Sequence, residues 1–196
     1  MNELQARTSG EGDCGNILVG GQHRTTRKRT EMTNDFVNRK GKLDDLTEMQ
    51  NLFVNTIRAI CKTDYDSNQI AVWASGINNK QRWHDILTNQ FVIVTQHADK
   101  IVGFATLDNG NYIDLFYVHK DHQRQGIAQR LLDDIEAEAR RLKQTTLTSD
   151  VSKTARPFFE KNEFNVLREQ NILLRNVSLT NYKMTKHFDN AKMPNR

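Results

Sequence analysis

The sequence predicts a mixed α/β domain of the α+β kind, and three observations predict it. Apolar runs at 91–95, 101–107 and 112–118 are short, β-branched or alternating, and parted by turn-forming residues. Such runs make antiparallel neighbours. An apolar stripe of helical period over 126–142 then separates the strand at 112–118 from another at 145–149, a strand–helix–strand crossover. Helical periodicity also precedes the first long strand, so helices are available to cover the sheet.

Taken in order, Phe36-Val37-Asn38-Arg39-Lys40 is a short first strand broken by Gly41. Asp44 or Asp45 can cap the helix that follows. In that helix Leu46, Met49, Leu52, Phe53, Ile57 and Ile60 recur every three or four residues as one stripe. Two shorter helices follow near Ser67–Ala74, with Ser67 as a cap, and near Lys80–Thr88. The period then drops to two. Phe91–Thr95, Ile101–Leu107 and Tyr112–Val118 are strands joined by turns at His97–Lys100 and Asp108–Asn111. Leu131, Leu132, Ile135, Ala139 and Leu142 form the buried face of the next helix. Thr145–Ser149 is a strand by its β-branched content. A short helix spans Thr154–Glu160, with Pro157 in its first turn, where proline is tolerated. Residues 164–168 and 171–186 close the sheet as a pair of strands.

Composition bounds the function. The chain has 196 residues, 37% of them hydrophobic, enough for one sizeable core. Residues 1–32 stand apart: they hold Gly10, Gly12, Gly15, Gly20 and Gly21 and the basic run Arg24, Arg27, Lys28, Arg29. They read as a flexible leader, either a basic tail or upstream sequence that the working protein does not need. The domain is then expected over 33–190, with a short tail at 191–196. Cys14 and Cys61 cannot build a disulfide framework or a four-cysteine metal site, so a cytoplasmic setting is expected. No uncharged run approaches the roughly 20 residues that span a bilayer, and no membrane partner is expected. A formal charge of +4 and a pI of about 9.1 permit an anionic ligand but are too mild to imply nucleic acid.

The chemistry points to Gln123-Arg124-Gln125-Gly126-Ile127-Ala128, directly after a strand and at the mouth of a helix. Gly126 allows a tight turn and the close approach of a ligand. The first helical turn carries backbone N–H groups with no intrahelical acceptor, which together with the helix dipole suit a phosphate. Arg124 adds positive charge. An ordinary strand-to-helix loop is the alternative. Gly126 is one of five glycines in residues 33–196, and its place at a helix start favours the phosphate reading. The Gly-Lys-Ser/Thr of a P-loop and the three-glycine dinucleotide fingerprint are both missing.

The pattern Gln-x-x-Gly-x-Ala in this setting resembles the acetyl-coenzyme A loop of the GCN5-related N-acetyltransferase (GNAT) superfamily. Residues 155–164, Ala-Arg-Pro-Phe-Phe-Glu-Lys-Asn-Glu-Phe, resemble its second hallmark, the short helix after the fifth strand. Val102-Gly103-Phe104 resembles its third strand. Tyr65, Gln69, Trp73, Trp83, Tyr112-Ile113-Asp114 and the 154–160 segment are similar to a YafP-type bacterial branch. The resemblance covers roughly residues 35–188. It implies a mostly antiparallel sheet of six to seven strands, with a central parallel pair splayed at the cofactor site and helices on both faces. It implies acetyl-CoA as co-substrate, a primary amine as acceptor, and direct attack in a ternary complex.

Residue by residue, the resemblance places the pyrophosphate on the backbone of Arg124, Gln125, Gly126, Ile127, Ala128 and Gln129. It lays the pantetheine along Phe116, Tyr117 and Val118, with Phe159 beside the cofactor. Tyr65 and Trp73 would border the acceptor; core packing is the alternative for both. Asp114 interrupts an apolar strand and is the candidate general base, on one face with Tyr112 and Phe116 by strand alternation. Holding a backbone amide is its alternative role. A second acid, Asp150, ends the following strand beside the opening; capping the next turn is its alternative role and the preferred one. Phe159 stands where many relatives carry the tyrosine that protonates the thiolate, so Tyr112, Tyr117 or Tyr182 would have to substitute. Glu163 stands where glycine is usual. His84, His97, His119 and His122 are scattered without metal-ligand spacing, and no metal is expected. A non-catalytic acyl-CoA-binding module is the rival reading, and an exposed C-terminal strand could pair two subunits as a homodimer.

Overall fold

The computed structural model describes residues 36–188. The expected leader at 1–32, the tail at 191–196 and Cys14 lie outside the described residues. Seven strands form one sheet: β1 (Val37–Lys40), β2 (Phe91–His97), β3 (Lys100–Asp108), β4 (Tyr112–Val118), β5 (Thr146–Ser152), β6 (Asn165–Leu174) and β7 (Val177–His187). Their spatial order is β1-β2-β3-β4-β5-β7-β6. Only β4 and β5 run parallel; every other neighbouring pair is antiparallel. Helices α1 (Leu46–Ile60), α2 (Ser67–Ala74) and α3 (Lys80–Asn89) cover one face, α4 (Ile127–Arg141) and α5 (Arg156–Lys161) the other.

The hairpins follow from local backbone chemistry. Each turn holds two consecutive residues at positive φ: Ala98 and Asp99 at 46° and 61°, Asn109 and Gly110 at 49° and 77° in a three-residue connection closed by Asn111, and Arg175 and Asn176 at 45° and 66°. Such turns match the twist of the strands they join. The third corrects the expected boundary. Residues 169–170 lie inside β6, because the ladder to β7 runs unbroken through Glu169↔Tyr182 and Gln170↔Asn181. An exposed edge strand with polar residues looks like a loop by composition alone.

Helix ends differ in detail. Asp66, not Ser67, caps α2: its Oδ1 accepts from Gln69 N–H at 2.9 Å while Gln69 Oε1 accepts from Asp66 N–H at 3.0 Å. Asp45 makes no side-chain cap bond to α1. It accepts from Arg39 Nη1 and Nη2 at 2.7 and 2.8 Å and from Lys42 N–H at 2.8 Å, pinning β1 to the start of α1. Leu142 lies past the last turn of α4 and is exposed.

Two cores result, one on each face. Ile127, Leu131, Leu132, Ile135 and Ala139 of α4 are buried against Val102, Ala105, Leu107 and Ile113. A Cβ on Gly103 would sit 2.8 Å from Ile127 Cγ2, so glycine there lets α4 lie close to β3. On the other face Phe53, Trp83, Phe104 and Tyr117 form a buried aromatic group with ring centroids 5.0–6.4 Å apart.

One irregularity governs the site. Ala105 pairs with Phe116 and Leu107 with Ile113, so Thr106 alone faces both Asp114 and Leu115. This bulge reverses the alternation of β4. Ile113, Phe116 and Val118 enter the α4–α5 core, whereas Leu115 and Tyr117 enter the α1–α3 core. Phe116 therefore does not share a face with Asp114, as simple alternation had predicted.

Glu163, the residue at the expected glycine position, has φ 67°. A left-handed backbone costs a non-glycine residue about 1–2 kcal/mol. Its ion pair to Lys186 Nζ at 3.4 Å is largely solvent-exposed on the Glu163 side and returns little of this. Glu163→Gly should raise the melting temperature by about 1–3 °C; an unchanged or lower midpoint in calorimetry would show that the turn carries no strain.

Candidate active site

Strands β4 and β5 share two registered pairs, Tyr112↔Thr148 and Ile113↔Ser149, and then part. Beyond Ile113 a wedge-shaped gap opens between them. Its phase is fixed by His119 N–H, which donates to Val102 O at 2.8 Å on the β3 side. With the Phe104↔Tyr117 and Gly103↔Val118 register, alternation turns the backbone N–H and C=O groups of Phe116 and Val118 away from β3, toward the gap. Val118 O there accepts from Gln123 Nε2 at 2.7 Å and Thr56 Oγ1 at 3.2 Å.

The loop after β4 closes the wide end of the gap. Gln123 also donates to His119 O at 3.2 Å, tying the loop back to its strand. Arg124 and Gly126 both take left-handed φ, 60° and 81°. A Cβ built on Gly126 meets nothing within 4 Å, so the space before it is open. Arg130 N–H donates to Gly126 O at 3.1 Å as the first α-helical bond of α4. The N–H groups of Ile127, Ala128 and Gln129 therefore have no intrahelical acceptor. They border a groove of about 410 Å³ between α4 and α5, lined also by Val118, His122, Arg124, Pro157, Phe158, Lys161 and Asn162. Two cations, Arg124 and Lys161, flank a helix N-terminus, which is an electropositive setting.

The narrow end of the gap is polar. Asp114 is buried at 2% exposure, and Arg82 Nη2 and Gln90 Nε2 each donate to one of its oxygens at 2.8 Å. On β5, Asp150 is buried and accepts from Tyr112 Oη at 3.2 Å and Gln170 Nε2 at 2.9 Å, with Lys183 Nζ at 3.2 Å. Burial, then the charges of Asp150 and Asp114, hold the Tyr112 phenol well above the usual tyrosine range. Tyr112 therefore keeps its hydroxyl proton at neutral pH.

Several expected site residues sit elsewhere. Tyr117 is wholly buried and its backbone faces β3, so of the three strand residues only Phe116 and Val118 turn to the gap. Phe159 is wholly buried against Phe116, Phe158 and Phe164; the groove wall is its neighbour Phe158. A one-residue phase choice in a single-turn helix is invisible to periodicity. Tyr65 is buried, donates its hydroxyl to Thr180 O at 2.7 Å and accepts from Lys153 N–H at 3.0 Å. Trp73 packs on it at 5.4 Å and is 1% exposed. The pair clasps α2 to β7, and Trp73 also lines a pocket of about 330 Å³ with Gly76, Asn79, Leu174 and Arg175. Asp150 is held by β4, β6 and β7, so it is no turn cap. Of the scattered histidines, His97 and His119 each lie beside His122, with ring centroids 5.4 and 5.5 Å from its own. Burial, with His122 and Lys120, depresses the His119 pKa despite Asp121. Among the described residues no cluster of three or more His, Cys, Asp or Glu is arranged to hold a metal, and no helix is long and apolar enough to cross a membrane. His122, Lys161 and Asn162 were not legible as groove residues, because only the fold brings α5 beside the loop.

The model of the acetyltransferase (GNAT) domain family matches residues 61–186, from α1's end through β7. This chain belongs to the GNAT acetyltransferase family. The uncharacterized N-acetyltransferase YafP of Escherichia coli K12 is 29% identical over 140 residues, 71% of this GNAT chain and 88% of YafP. A GCN5-related N-acetyltransferase from Rhodopseudomonas palustris superposes with TM-score 0.75 at 27% identity, covering 78% of this chain and 96% of its own. The PaiA N-acetyltransferase of Thermoplasma acidophilum, solved with coenzyme A, shares the fold at TM-score 0.67 and 14% identity, over 79% and 99% of the two chains.

The Tyr65 clasp is testable. Tyr65→Phe leaves the part-buried Thr180 carbonyl and Lys153 amide without their partner, which costs about 1 kcal/mol. Denaturant unfolding should show that loss. A variant as stable as the parent would free Tyr65 for a role in binding.

Proposed function

We propose that this GNAT protein transfers the acetyl group of acetyl-CoA to a primary amine by direct attack in a ternary complex. The observation that carries the reading is Gly126: left-handed, open in front, and set where helix donors meet the vacated edge of β4. A side chain would fill that space, so the residues present fit a diphosphate there. Gly126, Ile127, Ala128 and Gln129 would hold it through N–H groups, with Gln125 contributing backbone and Arg124 and Lys161 contributing charge. Phe116 and Val118 would bind the pantetheine through their outward backbone groups. When bound, acetyl-CoA supplies the acyl group already activated as a thioester.

The rest is done by the chain. A backbone N–H of Phe116 can meet negative charge on the acyl oxygen, and it needs no reorganisation to do so. Tyr112, kept protonated by burial and by two carboxylates, is the proton carrier at the narrow end of the gap. We assign Asp114 to holding α3 against β4 through Arg82 and Gln90 and not to proton abstraction, because both of its oxygens are already engaged. The acetylating unit is assigned to residues 33–190.

Two outcomes test this. Gly126→Glu places bulk and a negative charge in the cradle, so coenzyme A should bind at least about tenfold more weakly by calorimetry. Equal affinity would remove the phosphate assignment. A panel of small, peptidyl and lysyl amines with acetyl-CoA should release free thiol with at least one acceptor, equally with and without residues 1–32. Coenzyme binding with no turnover on any amine would contradict the enzyme reading.

A further inference from the structure

The narrow end of the gap contains a second carboxylate that the reaction above leaves unused. We propose that Tyr112 and Asp150 act as one proton-handling pair, in which Asp150 stores the proton that Tyr112 receives from the acceptor nitrogen. The proposal rests on the acetyl-transfer reading.

The geometry is specific. Asp150 lies two residues beyond Thr148, the partner of Tyr112, on the face that Tyr112 shares. It is therefore the buried β5 residue that lies beside Tyr112. Tyr112 Oη donates to Asp150 Oδ2 at 3.2 Å, while Oδ1 faces Gln170 Nε2 at 2.9 Å and Lys183 Nζ at 3.2 Å. One oxygen is thus held by side chains of the outer strands and the other serves the tyrosine. Lys183 Nζ also lies 5.0 Å from the centre of the Tyr112 ring. The charged groups around the pair are Lys183 on β7, Asp114 on β4 and Arg82, which is tied to Asp114 from α3. Tyr112 donates to Asp150 and not to Asp114, whose two oxygens accept from Arg82 and Gln90.

The step balances. A neutral amine attacks, and as the C–N bond forms its nitrogen loses basicity. An N–H bond breaks, leaving its electron pair on nitrogen, and the proton passes to Tyr112 Oη. The original hydroxyl proton of Tyr112 passes along its hydrogen bond to Asp150 Oδ2. When the C–S bond breaks, the sulfur keeps that electron pair. Tyr112 then protonates the thiolate and recovers a proton from Asp150. Amine and thioester become amide and thiol, and both side chains return to their starting state. The pair so supplies the proton that Phe159 cannot. Asp150 acts through Tyr112 and is a positioning residue; it touches neither substrate.

The test uses the full chain with and without substrates. In tyrosine labelled at Cζ, with Tyr112→Phe used to assign the signal, Tyr112 should stay protonated across the accessible alkaline range. In Asp150→Asn it should ionise about one pH unit lower or more. With acetyl-CoA and an accepted amine, Asp150→Asn should cut kcat about a hundredfold with KM for acetyl-CoA unchanged, and Asp150→Glu should restore part of the loss. An unshifted Tyr112 titration, or a kcat equal to the parent's, overturns the pair. So does a loss of kcat that Glu does not rescue. If the parent protein acetylates no amine, the acetyl-transfer reading fails instead, while the tyrosine titration still decides whether the two groups are coupled.

Discussion

A strand in the middle of a sheet that loses its neighbour must find other partners for its outward N–H and C=O groups, or leave them unmet at a cost of kilocalories. β4 is in that position from Asp114 onward. Its carbonyl at Val118 is met from inside by Gln123 and Thr56. The remaining edge is polar backbone held rigidly by β3 on its other side. That edge leads directly into the N-terminus of α4, where three more donors lack acceptors. A single continuous line of unmatched amides results, suited to an extended ligand with hydrogen-bonding groups along it and an anion at one end.

The bulge at Asp114 and Leu115 makes this possible without breaking the core. Thr106 absorbs the extra residue by accepting Leu115 N–H at 3.0 Å. Downstream, Phe116 and Val118 point into the α4–α5 core and Tyr117 into the opposite one. Upstream, Tyr112 and Asp114 stay on the α1–α3 face. Each of the two buried carboxylates there has a basic partner from another element, Arg82 for Asp114 and Lys183 for Asp150. Unpaired, either would be expensive to bury.

Much of this was legible beforehand. Period-two runs and turn residues located β2, β3 and β4, and the stripe from Ile127 to Ala139 located α4. The glycine at the helix mouth located the loop, because glycine at that junction has a backbone reason. What stayed hidden was tertiary. The bulge arises from register between strands, and no residue type marks it. Phe158 and Phe159 differ only in phase. Tyr65 and Trp73 looked like pocket aromatics, yet the carbonyl of Thr180, 115 positions away, uses the tyrosine hydroxyl. Asp150 gained its meaning from Tyr112, Gln170 and Lys183, which are dispersed over 72 positions of sequence and meet only when β4, β5, β6 and β7 assemble.

In the proposed reading, the edge of β4 and the mouth of α4 form one continuous ligand-binding surface. Titrating uniformly ¹⁵N-labelled protein with coenzyme A and following the backbone amides tests it most directly. The amides of Gly126, Ile127, Ala128 and Gln129 should shift together with those of Phe116 and Val118, at one common affinity. Shifts at the helix mouth that leave Phe116 and Val118 unmoved, or shifts confined to another part of the molecule, would contradict it.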